Sequence, residues 1–199
     1  MRDFVSRLIV LAVLLLLLPC FSSPALADAQ GGKVLLIVAP SDFEATEYTN
    51  TRKVLEAAGA TCTVASTKVG SLKSNKNLRV QSDLALEDVR TADYDAVVVI
   101  GGNGIKRLWH TAQAHRVVRE AAEQGKVVAA ICAAPGVLAN AGVMKGRKGT
   151  ANAKSGAGGE LEGNGCEYTR TNVEVDGKFV TANGPKAATS FGEAIAAAL

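Results

Sequence analysis

Cys132 carries the clearest chemical signal in the chain. It ends the run Val127-Val128-Ala129-Ala130-Ile131 and is followed by Ala133-Ala134-Pro135. Five apolar residues before a cysteine, with small residues and a proline after it, describe a buried strand turning sharply into a helix. Such an elbow lifts a nucleophile out of the sheet and sets it over backbone N–H groups at the start of the helix. The positive end of that helix is expected to favour the thiolate. The competing reading is an inert buried thiol, because cysteine is among the most buried residue types. The turn signature favours the nucleophile.

A thiol that works needs a proton partner. Glu44 and Glu47, in Phe43-Glu44-Ala45-Thr46-Glu47, are three residues apart and share one face if a helix has begun there. Either could simply stabilise the helix N-terminus. Either could instead face the thiol. A protonated carboxyl group donates to a thiolate or a sulfinate, whereas an ionised one accepts a proton but raises the thiol pKa. The spacing leaves the choice between the two open. Gly101-Gly102-Asn103-Gly104 reads as a turn, and beside a nucleophile such a turn can present backbone N–H groups as an oxyanion hole. Histidine is scarce. His110 follows the glycine turn and is a candidate accessory residue, since loops at the strand ends sit near the site. His115 falls inside a helical stretch, where a packing or surface role is expected.

The elements that must position these residues alternate between strand and helix. Lys33–Ala39 and Asp95–Ile100 are continuous apolar runs, as in strands buried on both faces. Thr61–Ser66 is a further strand. Tyr48, Val54, Leu55 and Ala58 recur at helical spacing, with Gly59 as the stop. Helices are also expected at Thr111–Gln124, closed by Gly125, at Pro135–Asn140, and from Lys186 to Leu199. Residues 67–82 read as a polar loop with short strands, and Ser155–Gly165 as a mobile, glycine-rich loop. Asn172–Thr181 alternates around Asp176-Gly177, a hairpin signal. This order argues for an α/β sandwich with a mostly parallel sheet. In such sheets ligands bind beyond the carboxyl ends of the strands. Ser41–Glu47, Gly101–Gly104 and Cys132-Ala133 all fall there.

The first residues are read differently. Arg2 and Arg7 precede the apolar run Leu8–Leu18, and Ser22-Ser23-Pro24-Ala25-Leu26-Ala27 has the A-x-A cleavage pattern. This predicts a secretory signal peptide over residues 1–27 and a secreted or periplasmic mature protein. The apolar run is short for a membrane span, so no membrane partner is expected after cleavage. The remaining part, residues 28–199, suits a single domain of about 170 residues with one sizeable core. The net charge of +3 is spread over interspersed residues, and aromatics are few, which argues against nucleic acid as a partner. Cleavage removes Cys20 and leaves Cys62, Cys132 and Cys166. An odd count leaves at least one thiol unpaired, and a Cys62–Cys166 pair would make it Cys132. No C-x-x-C occurs, so neither a zinc site nor thioredoxin-type chemistry has support, and no metal or cofactor is expected.

Together these stretches resemble the DJ-1/PfpI (ThiJ/PfpI) superfamily from about Lys33 to Leu199. The landmarks are Lys33–Pro40 with Phe43–Glu47, Asp93–Gly102, Ala129–Pro135, and Gly184-Pro185-Lys186-Ala187-Ala188-Thr189-Ser190-Phe191. The resemblance implies a flavodoxin-like three-layer sandwich with a nucleophile elbow, usually dimeric. It implies Cys132 as the nucleophile, Glu47 as its hydrogen-bonded carboxyl partner, and the backbone of Gly102 and Ala133 as the oxyanion hole. Activities implied by the family include glyoxalase III-type conversion of methylglyoxal, deglycation, peptidase or amidase activity, chaperone activity and redox sensing through a cysteine sulfinate. One feature departs from the family. Peptidase-like members place a histidine directly after the cysteine, where this chain has Ala133. Other members place one further on, where this chain has Ala151 and Asn152. Without a Cys-His dyad, a peptidase is disfavoured. The expectation is a cysteine-dependent enzyme acting on a small carbonyl compound or a glycated substrate, with redox sensing or chaperone activity as the alternative.

Overall fold

The structure is a computed structural model, and it describes residues 31–199. The expected signal peptide over 1–27 lies outside the described residues. In chain order the elements are β1 (Lys33–Ile37), β2 (Ser41–Phe43), α1 (Ala45–Ala57), β3 (Thr61–Ser66), β4 (Gly70–Ser74), β5 (Arg79–Ser82), β6 (Leu84–Ala85), β7 (Ala96–Val99), α2 (Ala112–Glu123), β8 (Val127–Ile131), α3 (Pro135–Asn140), β9 (Lys148–Gly149), α4 (Ala157–Gly163), β10 (Glu167–Tyr168), β11 (Val173–Asp176), β12 (Phe179–Ala182) and α5 (Ala188–Ala198).

Seven strands form one sheet in the order β11-β12-β8-β7-β1-β3-β6. All its neighbours are parallel except β11, which pairs antiparallel with β12. The five strands β3-β1-β7-β8-β12 therefore run 2-1-3-4-5, the flavodoxin-like order. The apolar run of β1 follows from its place between β3 and β7. Leu35 and Ile37 pack on one side with Val117, Val118 and Leu138, while Val34 and Leu36 pack on the other with Leu55, Phe191 and Ile195. Both faces are thus covered, by α2, α3 and α4 on one side and by α1 and α5 on the other. Each large side chain fully buried in these two layers contributes roughly 1.5–3 kcal/mol.

The helix faces are cut more finely than the apolar spacing implied. On α1 the buried residues are Ala45, Glu47, Tyr48, Thr51 and Leu55, whereas Ala58 is exposed. Thr51 is polar but satisfied, donating its hydroxyl to the Ala188 carbonyl at 3.4 Å. α1 approaches α5 closely because residue 192 is glycine. A Cβ there would lie 2.9 Å from the Val54 Cβ. Gly59 (φ 88) ends the helix as expected, and the Ala60 N–H returns to the Leu55 carbonyl at 2.9 Å. In the last hairpin Asp176 pairs with Phe179, so Gly177 (φ 60) and Lys178 form the two-residue loop.

One element departs from expectation. Ser155–Gly165, read as a mobile loop, contains α4. The Ala157 N–H donates to Ser155 Oγ at 3.1 Å, Leu161 is buried, and Asn140 Nδ2 donates to Glu160 Oε2 at 2.8 Å. Gly158 is there for contact, not freedom: a Cβ would sit 2.5 Å from the Tyr168 ring. Glycines that admit a neighbour look, in a sequence, the same as glycines that loosen a loop.

Candidate active site

Three strand ends meet at the topological switch between β1 and β7, where open parallel sheets bind ligands. β1 leads into the Ser41–Glu47 segment, β7 into Gly101-Gly102, and β8 into Cys132.

Cys132 has φ 66. A non-glycine residue in this region carries roughly 1–2 kcal/mol of strain. Both of its backbone groups are held: its N–H donates to the Ala182 carbonyl at 2.8 Å, and its carbonyl accepts from the Asn152 N–H at 2.9 Å. The carboxyl end of β12 and the Asn152 loop therefore fix the strained conformation, and the side chain stands at the elbow with part of it exposed.

The structure separates the two glutamates. Glu44 is the N-cap of α1, its Oε2 accepting from the Glu47 N–H at 2.7 Å, and Lys76 Nζ lies 3.6 Å from its other oxygen. Its role is to start the helix that carries Glu47. Glu47 is 0 % exposed. Its Oε2 accepts from the Gly101 N–H at 3.1 Å. Its Oε1 has no hydrogen-bond partner among the described residues, and the carboxyl group faces the Cys132 thiol. Gly101 lies between the two. A Cβ on it would meet Glu47 Oε2 and come within 2.7 Å of the Cys132 Cβ.

Burial pushes the Glu47 carboxyl group up to about 8, and the charge of Glu44 adds to this. Burial, followed by the charge of Glu47, pushes the Cys132 thiol up to about 12, against the pull of the Gly102 and Ala133 N–H groups. The expectation of an easily ionised thiol is thus reversed, because desolvation outweighs the backbone N–H groups. The same burial keeps a proton on Glu47 at neutral pH. While Glu47 is neutral, its charge no longer opposes the thiolate, and its O–H can donate to the sulfur. The two groups act as one proton-sharing pair.

The backbone N–H groups of Gly102 and Ala133 are directed at the Cys132 sulfur. Gly102 (φ 104) must be glycine, since a Cβ would come within 2.5 Å of the Asp42 carbonyl oxygen and the Glu44 nitrogen. The cleft beside the sulfur has a volume of about 260 Å³ and includes Gly102, Asn103, Ala133, Asn152 and Pro185 in its lining. His110 is exposed and does not line it, so the accessory role expected of it is not met. The chain turns Trp109 inward instead, and the imidazole that follows points to solvent. His115 Nε2 pairs with the Trp109 carbonyl at 2.6 Å, a packing role as expected. Cys62 and Cys166 are both free, so Cys132 is not singled out by a disulfide elsewhere.

Three residues near the elbow carried no clear signal in the sequence. Trp109 Nε1 donates to the Ala133 carbonyl at 2.9 Å. Asn152 lines the cleft, and its amide cannot serve as an acid or base. Lys154 lines the same cleft. A turn that brings a residue about twenty positions downstream back to the elbow is invisible to local pattern.

A flavodoxin-like sheet with a strained cysteine at a strand-to-helix elbow, a buried glutamate and two facing N–H groups defines a class of α/β proteins. Within it, the chain belongs to the DJ-1/PfpI family, whose profile matches residues 32–198. An uncharacterized protein of Methanocaldococcus jannaschii is 35% identical over 190 residues, covering 92% of this chain and 93% of that one. Deglycase PfpI of Pyrococcus furiosus is 31% identical over 151 residues, 76% of this chain and 90% of that one. The glutathione-independent glyoxalase DJR-1.2 of Caenorhabditis elegans is 27% identical over 157 residues, 79% of this chain and 83% of that one. Among solved structures, a ThiJ/PfpI domain protein from Brachyspira murdochii superposes with a TM-score of 0.81 at 26% identity, covering 83% of this chain and 95% of that one.

Proposed function

We propose that this protein is a cysteine-dependent enzyme acting on reactive carbonyl compounds, of the glyoxalase III or deglycase type. The observation that carries the reading is the buried Glu47 carboxyl group set against the Cys132 thiol across Gly101. The deglycase and glyoxalase names of relatives support the same class of chemistry.

With methylglyoxal, the Cys132 sulfur attacks the aldehyde carbon. The C=O π pair moves to oxygen, where the Gly102 and Ala133 N–H groups receive the charge. The reacting form of the pair holds one proton, the other having left to solvent, and the oxygen takes that remaining proton, giving a hemithioacetal and leaving Glu47 as a carboxylate. Glu47 then removes the hydrogen from the former aldehyde carbon and returns it to the neighbouring carbon, while the hemithioacetal hydroxyl proton passes to the neighbouring ketone oxygen. The result is a lactoyl thioester, which water cleaves to lactate and free thiol. A group poised near 8 suits both halves of this transfer, since acid–base catalysts work best near ambient pH. Purified protein should form lactate from methylglyoxal, and Cys132→Ser should abolish it. Wild-type turnover no faster than that of Cys132→Ser would overturn the reading.

A second reading is redox sensing or chaperone function. A neutral Glu47 can donate to one oxygen of a Cys132 sulfinate, formed when two equivalents of peroxide oxidise the thiol and leave two waters. Mass spectrometry after mild peroxide decides this by whether Cys132 gains two oxygens ahead of Cys62 and Cys166. The peptidase or amidase alternative has no histidine in the cleft lining to protonate a leaving amine.

The proposal also includes export with cleavage after Ala27 and assembly as a homodimer. N-terminal sequencing of protein recovered from an extracytoplasmic fraction tests the first, and light scattering the second.

A further inference from the structure

The Cys132 cleft does not end at the thiol. It opens into a second hollow of about 510 Å³, with which it shares Asn152, Lys154 and Pro185. The two halves differ in charge. The inner half has Asp42 and Glu44 on its wall. The outer half is lined by Lys154, Arg170 and Lys186 and by no carboxylate. Lys154 and Lys186 make no ion pair among the described residues, and their side chains hydrogen-bond to nothing there. Arg170 stacks on Tyr168, with its guanidinium carbon 4.7 Å from the ring centroid, and reaches Glu162 at 3.3 Å. Asn152 and Asn183 add amide groups to the same wall.

A hollow lined by one sign of charge against a low-dielectric wall concentrates ions of the other sign. From this charge division, and resting on the carbonyl chemistry assigned above to Cys132, we infer that the substrate is an anionic carbonyl compound, with its carbonyl carbon at the sulfur and a carboxylate or phosphate group in the outer hollow. Guanidinium and ammonium groups are the usual partners of such oxyanions. The arrangement disfavours cationic carbonyl adducts and gives neutral aldehydes no hold beyond the elbow.

Two measurements test this independently of turnover. In the first, Cys132→Ser protein is titrated with inorganic phosphate and separately with acetate, and the backbone amide shifts of Asn183 and Lys186 are followed by NMR. Saturable shifts are expected, and they should disappear in Cys132→Ser/Lys154→Gln/Lys186→Gln. The relative strength of the two titrations identifies phosphate or carboxylate as the preferred group. Absence of saturable shifts with both anions overturns the inference, whatever Cys132 reacts with. In the second, wild type and Lys154→Gln/Lys186→Gln are alkylated with iodoacetate and with iodoacetamide. The iodoacetate rate should fall several-fold in the double variant and in high salt, while the iodoacetamide rate stays within about twofold. An unchanged ratio of the two rates overturns delivery of the anion to the sulfur. A methylglyoxal assay that fails while both of these succeed counts against the proposed reaction and not against the anion site.

Discussion

Trp109 donates its indole N–H to the carbonyl of Ala133 at 2.9 Å and packs its ring against Gly136, where a Cβ would lie 2.6 Å from the indole nitrogen. The residue after the nucleophile is thus held from behind by a side chain from another loop. Its own N–H faces the sulfur. Trp109→Phe keeps most of the ring and removes the donor. It should lower kcat for carbonyl turnover about tenfold with little change in KM, because the oxyanion donor loses its alignment in the transition state. The loss of stability should be about 1 kcal/mol. Steady-state kinetics with a denaturation curve separates the two effects. His110→Ala, one residue on, should leave both unchanged.

Gly101→Ala inserts a methyl group between Glu47 and Cys132. It should destabilise the fold by about 1–3 kcal/mol, as overpacked cores do, and force the pair apart. Alkylation of Cys132 should then lose any inflection near pH 8, which a pH titration with iodoacetamide reads directly.

Glu47 makes stability depend on pH in an unusual direction. Its carboxyl group is raised from 4.5 to about 8 in the folded protein. The folded state therefore holds this proton more tightly than the unfolded chain. The associated stability is fully present below pH 4.5 and is lost as the pH rises through 8. The span corresponds to on the order of 5 kcal/mol. Glu47→Gln, neutral at every pH, should flatten that decline, and urea denaturation at a series of pH values from 5 to about 9 checks it. Above pH 8 the same variant should alkylate faster at Cys132, because it removes the negative charge that opposes the thiolate.

The strain at Cys132 can be isolated by comparing two small residues. Cys132→Gly accepts φ 66 freely, whereas Cys132→Ala keeps the Cβ and the strain. The glycine variant should be the more stable of the two by about 1 kcal/mol by calorimetry, and neither should turn over carbonyl substrate.

Much of this was legible in the chain because the relevant forces are local. Apolar runs bounded by glycine mark doubly covered strands, so β1, β7 and β8 fall within a residue or two of expectation. Cys132 was visible because an elbow needs small residues in sequence around it. Glu44 and Glu47 were not separable by spacing. Only the tertiary approach of Gly101 and Cys132 shows that one is a cap and the other a buried partner. The thiol's reluctance to ionise was hidden for the same reason, since desolvation depends on everything packed around the sulfur. Ser155–Gly165 misled because its glycines accept neighbours from distant parts of the chain, which composition does not record.

The two hydrogen bonds that hold Cys132 come from Asn152 and Ala182. Both partners lie later in the chain than the cysteine they constrain. A chain synthesised only as far as β8 therefore carries an ordinary thiol at position 132, without strain and without facing donors fixed in place. The strained geometry at Cys132 is complete only when β12 joins the sheet and Ala182 accepts its N–H. Until then, nothing in the backbone sets Cys132 apart from the other cysteines of the growing polypeptide.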